Sequence, residues 1–297
     1  MATTASPTRT PQSNKTVAYP ASPPLRRYNL IALWHLCSLD APTVAIVWTW
    51  FIARASHISL PLTSIAAMGI AVWILYAADR LLDARVLASS ATSTNDLEAR
   101  HFFHHRHGKV FLTGIILCCL AMIPLLLAIP FAAIRLYLIE GSLLVGWFLL
   151  IHASRSALRL PKELAVGLFF AAAVFIPTVS RAPALRLPLI LPAILFASLC
   201  SLNCLFIYSW EHEHTGIPTC AHPTTRLALA HLPLLSAALT IASLFAALVH
   251  NPIAPAFALA ILLLTLLHIN RRHLHRTTLR AAADLALLTP LLLILHR

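Results

Sequence analysis

From Tyr28 onward the chain is a succession of nine apolar runs, each roughly 15–26 residues long and joined by polar connectors. A bilayer's hydrocarbon core is about 30 Å thick, and about 20 residues of helix cross it. The runs cover about 28–53, 60–82, 110–129, 131–153, 163–179, 187–210, 227–249, 253–269 and 281–295. Hydrophobic residues make up 59% of the chain, charged residues 11%, and the mean hydropathy is +0.80, which excludes an ordinary soluble domain. The expected fold is an all-α polytopic membrane protein of nine transmembrane helices. Residues 1–27, rich in Ser, Thr, Pro and basic side chains, read as a disordered N-terminal tail, and 28–297 as the transmembrane domain. The third and fourth runs meet at Pro130 in a tight turn, so they form a helical hairpin.

The formal net charge of +12 raises nucleic acid as a partner, but the basic residues are scattered through short connectors rather than gathered on one face. Membrane topology explains them better. Of the 22 Lys and Arg residues, 17 fall on the side of the N-terminus and 5 on the other. The positive-inside bias then predicts that the N-terminus and both acidic pairs are cytoplasmic and the C-terminus outside; the expected location is a bacterial inner membrane. The six cysteines lie mostly inside apolar runs without a Cys-x-x-Cys pair, and read as small buried hydrophobes.

Acidic residues number only 10, and four of them form two close pairs that follow apolar runs: Asp79 with Asp83, and Glu211 with Glu213. Asp79 and Asp83 are four residues apart and share a helix face, so both reach one cation or one phosphate cluster. Mg²⁺ keeps most of its water and takes one or two carboxylates plus phosphate oxygens, a role open to each pair. Two such pairs with Arg and Lys nearby point to a diphosphate site. The competing reading of Asp79 and Asp83 is a charged helix end paired with Arg80 or Arg85. The recurrence of an acidic pair at the matching point of the second half tips the balance, because the runs repeat as one helix, a helix ending in acids, then a hairpin. Tyr76 and Tyr208 each precede an acid by three residues and are placed either to orient it or to anchor the helix at the interface. Asn203 lies two turns before Glu211 on about the same face. Asp40, next to Pro42 in the first run, either caps a helix break or joins the site.

The stretch Ala78-Asp79-Arg80-Leu81-Leu82-Asp83 resembles the first aspartate-rich motif of the UbiA superfamily of intramembrane prenyltransferases, Asn-x-x-x-Asp-x-x-x-Asp. Glu211, in Tyr208-Ser209-Trp210-Glu211-His212-Glu213-His214, stands where that family's second motif begins, and Pro161-Lys162-Glu163-Leu164 is similar to its basic entry to the fifth helix. Leu75 stands at the leading Asn of the first motif and Thr215 at the last acid of the second. The resemblance implies a UbiA-like bundle of two helical repeats that transfers an isoprenoid chain from a prenyl diphosphate to a lipophilic acceptor. Asp79, Asp83, Glu211 and Glu213 would then be the catalytic acids holding Mg²⁺ and diphosphate. Arg80, Lys162 and Arg226 would offset phosphate charge, and walls such as Trp73, Phe169 and Phe206 would exclude water.

Two other readings stand beside this one. A non-catalytic relative that keeps the cavity for a lipid or quinone is favoured by Leu75 and Thr215, and a small transporter is favoured by the repeat and the intramembrane acids. The histidines His101, His104, His105, His107, His212 and His214 offer a transition-metal alternative, although a solvated basic loop against anionic headgroups is the simpler account of them.

Overall fold

A computed structural model describes residues 30–89, 99–153, 161–213, 221–274 and 276–294. The proposed tail at 1–27, most of the 154–162 connector, His214 and Thr215 lie outside the described residues, as do the side chains of Asp83 and His101. Among the described residues there are helices and no strand. In chain order they are α1 (Leu30–Leu36), α2 (Asp40–Ala55), α3 (Leu62–Ser89), α4 (Ala99–Arg106), α5 (Gly108–Leu127), α6 (Phe131–Ala153) and α7 (Lys162–Arg181). The second half holds α8 (Ile190–Glu211), α9 (Pro223–Ala230), α10 (Leu232–Leu248), α11 (Ala254–Ile269), α12 (Arg276–Ala286) and α13 (Thr289–Ile294).

Four helices are long and apolar enough to cross a membrane alone: Leu62–Leu82 within α3, then α5, α7 and α8. The count reaches six if each of two bent pairs is one span, α1 with α2 at 90° and α9 with α10 at 78°. The nine apolar runs therefore resolve into four to six candidate spans among the described residues.

Three of the runs are interrupted. The first run breaks at 37–39, where Ser38 takes a φ of 59° and turns the chain before Asp40 and Pro42 enter α2. Pro42 costs nothing there, because the first turn of a helix has no use for its N–H groups. The seventh run breaks at His231, with Pro233 in the first turn of α10. In the last run α12 stops at Ala286, and α13 starts with Pro290 in its first turn.

The core forms where α2, α7, α8, α11 and the broken α12–α13 segment meet. Trp48 is fully buried at its centre, stacked on Phe257 at 5.0 Å and packed against Phe196 at 4.6 Å. Its Nε1 donates to the Leu287 carbonyl, 2.7 Å away, inside the α12–α13 break. Small residues permit the close helix approaches: a Cβ at Gly167 of α7 would lie 2.1 Å from Ser201 Oγ and 2.4 Å from the Ala197 carbonyl of α8. By contrast α5 buries only Phe111, and its many exposed apolar side chains suit a lipid-facing position.

Candidate functional site

The sequence neighbours Asp79 and Arg80 fall on faces of α3 about 100° apart. Met68, Val72 and Leu75 line a cavity of about 300 Å³ between α3, α5, α6 and α7. At about 100° per residue, Asp79 continues that stripe one turn beyond Leu75, and Asp83 lies one turn further. Asp79 is exposed. The cavity is lined almost wholly by apolar atoms, with Tyr137 and Glu140 of α6 and Arg181 of α7 among its few polar groups.

The other face of α3 turns inward. Trp73 and Arg80, two turns apart, both donate into the α1–α2 break: Trp73 Nε1 to the Cys37 carbonyl at 3.1 Å, and Arg80 Nη1 to the His35 carbonyl at 2.7 Å. Arg80 is 4% exposed, its Nη2 lies 3.1 Å from Asp40 Oδ2, and its guanidinium sits 4.4 Å from the Tyr76 ring centroid. Tyr76 is thus a cation–π partner of Arg80.

Around this arginine the structure assembles a buried polar cluster. His35 Nδ1 is 2.5 Å from Asp40 Oδ2 and 4.0 Å from Asp284 Oδ2. Asp40 is fully buried, with Oδ1 accepting from the Ala41 N–H at 3.0 Å, and the Asp284 side chain is 13% exposed. From α8, Asn203 Nδ2 donates to Asp284 Oδ1 at 3.1 Å. Asp40 is the first residue of α2 rather than its cap, so the break and the cluster are one feature. Among the described residues, His35, Asp40 and Asp284 are the one group of three or more His, Cys, Asp or Glu side chains close enough to share an ion.

The second acidic pair has arginine partners. Glu211, at the end of α8, is paired with Arg280 of α12, and Glu213 lies 3.0 Å from Arg271 Nη2. Helix α3 packs mainly on α2 and α5, whereas α8 packs mainly on α7, so the helices bearing the two acidic pairs are not principal neighbours. Lys162 and Arg226 are exposed. Tyr208 stacks on His212 at 4.2 Å. Comparison of the chain with protein families, with curated proteins and with solved structures returns no match.

Of the residues expected at one site, Tyr76, Arg80 and Asn203 converge on the interior cluster, Asp79 stands on the cavity stripe, and Glu211 and Glu213 pair with α12 and the connector before it. Trp73 seals the break and Phe206 is 1% exposed in the core, so neither lines the described cavity. The histidines separate too: His104 Nε2 is 3.1 Å from Ser38 Oγ, His107 Nδ1 is 2.9 Å from the Phe103 carbonyl, and His105 is exposed. His35 and Asp284 escaped the sequence reading. Asp284 had a signal, since it is the single acid in the last apolar run, and an intramembrane acid marks a site by default.

Proposed function

We propose that the chain is a Mg²⁺-dependent prenyltransferase of UbiA type, moving an isoprenoid chain from its diphosphate to a lipophilic acceptor. The observation that carries this reading is the stripe along α3, where an apolar cavity ends at Leu75 and the first carboxylate stands one turn on. That layout matches an amphiphile with an apolar chain and an anionic head. At about 300 Å³ the cavity is at the small end of ligand pockets and is walled by apolar side chains.

The donor set on α3 fits Mg²⁺, because the ion needs only one or two carboxylates when phosphate and water complete its shell. Glu211 and Glu213 would join it only by releasing Arg280 and Arg271. Bound there, the ion would neutralise charge on the leaving diphosphate. Asp79 and Asp83 position the head, and the α3–α5–α6–α7 cavity keeps water from the allylic carbon. Arg80 contributes by fixing the pitch of α3 against the α1–α2 break. In this reading the acids face the cytoplasm of a bacterial inner membrane, with the N-terminus on the same side.

A second reading, a non-catalytic lipid or quinone binder, is favoured by Leu75 lining the cavity where the motif has its leading Asn, and by the arginine partners of both glutamates. One experiment separates the two. Purified protein in detergent is incubated with labelled prenyl diphosphates, Mg²⁺ and a membrane extract as acceptor source. The enzyme releases diphosphate, and Asp79→Ala and Asp83→Ala abolish the release. Binding of the prenyl diphosphate without turnover at any chain length identifies the binder, and neither binding nor turnover refutes the prenyltransferase.

A further inference from the structure

We propose that the interior cluster is a binding site for one first-row divalent transition metal ion, with His35, Asp40, Asp284 and Asn203 as its ligands. This site is separate from the α3 carboxylates and does not depend on the prenyltransferase reading. One ligand atom from each of His35, Asp40 and Asp284 lies within 4.8 Å of the others, on three different helices. Bonds of about 2.1 Å to a tetrahedral ion place its ligands about 3.4 Å apart, so the His35–Asp40 pair, at 2.5 Å, opens while Asp284, 4.0 Å from His35, closes in.

The observation that points to a ligand is Asn203. It is 6% exposed, its Nδ2 is used on Asp284, and its Oδ1 is buried with no hydrogen-bond partner. A buried amide oxygen with no donor is costly, and beside a carboxylate only a cation or an added donor satisfies it. The donor set selects among cations. Two carboxylates, an imidazole and an amide oxygen, without a thiolate, suit Zn²⁺, Mn²⁺ or Fe²⁺ over soft metals, and the imidazole disfavours Mg²⁺ and Ca²⁺.

The charges agree with this assignment. Two carboxylates share the pocket, and Arg80 reaches only Asp40, at 3.1 Å. Arg280, one turn before Asp284, is taken by Glu211. An incoming dication displaces Arg80 from Asp40 Oδ2, and the guanidinium keeps the His35 carbonyl and the Tyr76 ring. Arg80 is therefore a competitor of the metal.

The test uses untagged full-length protein in detergent, stripped with a chelator and reloaded with Zn²⁺ alone or Mn²⁺ alone. Metal is counted by mass spectrometry, and the Co²⁺-loaded form is read by its visible spectrum. Wild type is expected to keep about one equivalent. Asp284→Asn and Asn203→Ala, each checked for monodispersity, are expected to bind at least about tenfold more weakly, whereas Arg80→Gln is expected to bind more tightly. Retention below about a tenth of an equivalent by wild type overturns the proposal. So does retention in Asn203→Ala and Asp284→Asn equal to wild type, which would place the metal on exposed histidines. Should Asp284→Asn fail to fold, the wild-type stoichiometry and Asn203→Ala still decide.

Discussion

Replacing Arg80 by Met tests the reading of α3 most directly, because its neighbour Asp79 serves as the control. Arg80 is 4% exposed and its removal deletes three contacts at once: the ion pair to Asp40 at 3.1 Å, the bond to the His35 carbonyl at 2.7 Å and the stacking on Tyr76. Asp40 is fully buried, so its charge would keep only His35 and the Ala41 N–H as nearby partners. Breaking a buried pair by removing one member costs about 3–5 kcal/mol. At about 2–4 °C per kcal/mol for a chain of this size, the midpoint of thermal unfolding should fall by roughly 6–20 °C. Tryptophan fluorescence in detergent reads it, since Trp48 and Trp73 lie in the packed region. Asp79→Asn, one residue away but exposed, should change stability by no more than about 0.5 kcal/mol. The double variant Arg80→Met, Asp40→Asn should lose about 2 kcal/mol less than the sum of the singles, because the residues are coupled. Equal midpoints for Arg80→Met and Asp79→Asn, or strict additivity in the cycle, would refute the inward orientation of Arg80.

Gly167→Leu should cost about 1–3 kcal/mol by forcing α7 from α8, whereas Gly146→Leu should be near neutral, because no heavy atom lies within 4 Å of a Cβ there; thermal unfolding of the two compares them. Trp48→Phe keeps most of the aromatic packing but leaves the Leu287 carbonyl without its donor, so it should cost about 1–3 kcal/mol, read in the same way. Ala133→Trp introduces an indole into the α3–α6 cavity; if that cavity holds the prenyl chain, KM for long-chain diphosphates should rise about tenfold or more while the shortest substrate is affected least.

Much of the helical plan was legible because the bilayer demands long apolar runs, and those runs mark most of the helices. The breaks were less legible. Pro42, Pro233 and Pro290 were visible, but proline is compatible with the first turn of a helix, so position alone did not tell a kink from a start. Ser38 gives no sequence warning of its left-handed φ. For the site, spacing places Asp79 and Asp83 on one face of α3, and Asn203, which the sequence places on the face of Glu211, bonds Asp284 instead. Arg80 was read as a partner for phosphate, because nothing in the sequence shows that α1 ends beside it. His35 and Asp284 lie 249 positions apart and meet because α12 packs against α1.

Those breaks explain why the polar residues of the apolar helices stand where they do. A helix interrupted in an apolar bundle frees carbonyls that lipid cannot satisfy, and each must find a donor within the protein. Here the donors come from long helices alongside: Trp73 and Arg80 of α3 for the first break, and Trp48 of α2 for the last. Arg80 also brings a charge, which requires an anion, and Asp40 at the start of α2 supplies it. Asp284 then faces the same pocket from α12, and Asn203 holds it from α8. The inward face of α3 is therefore committed to holding the breaks together. Asp79 stands on the other face, exposed and one turn beyond the cavity lining, so substitutions on the two faces should separate stability from activity.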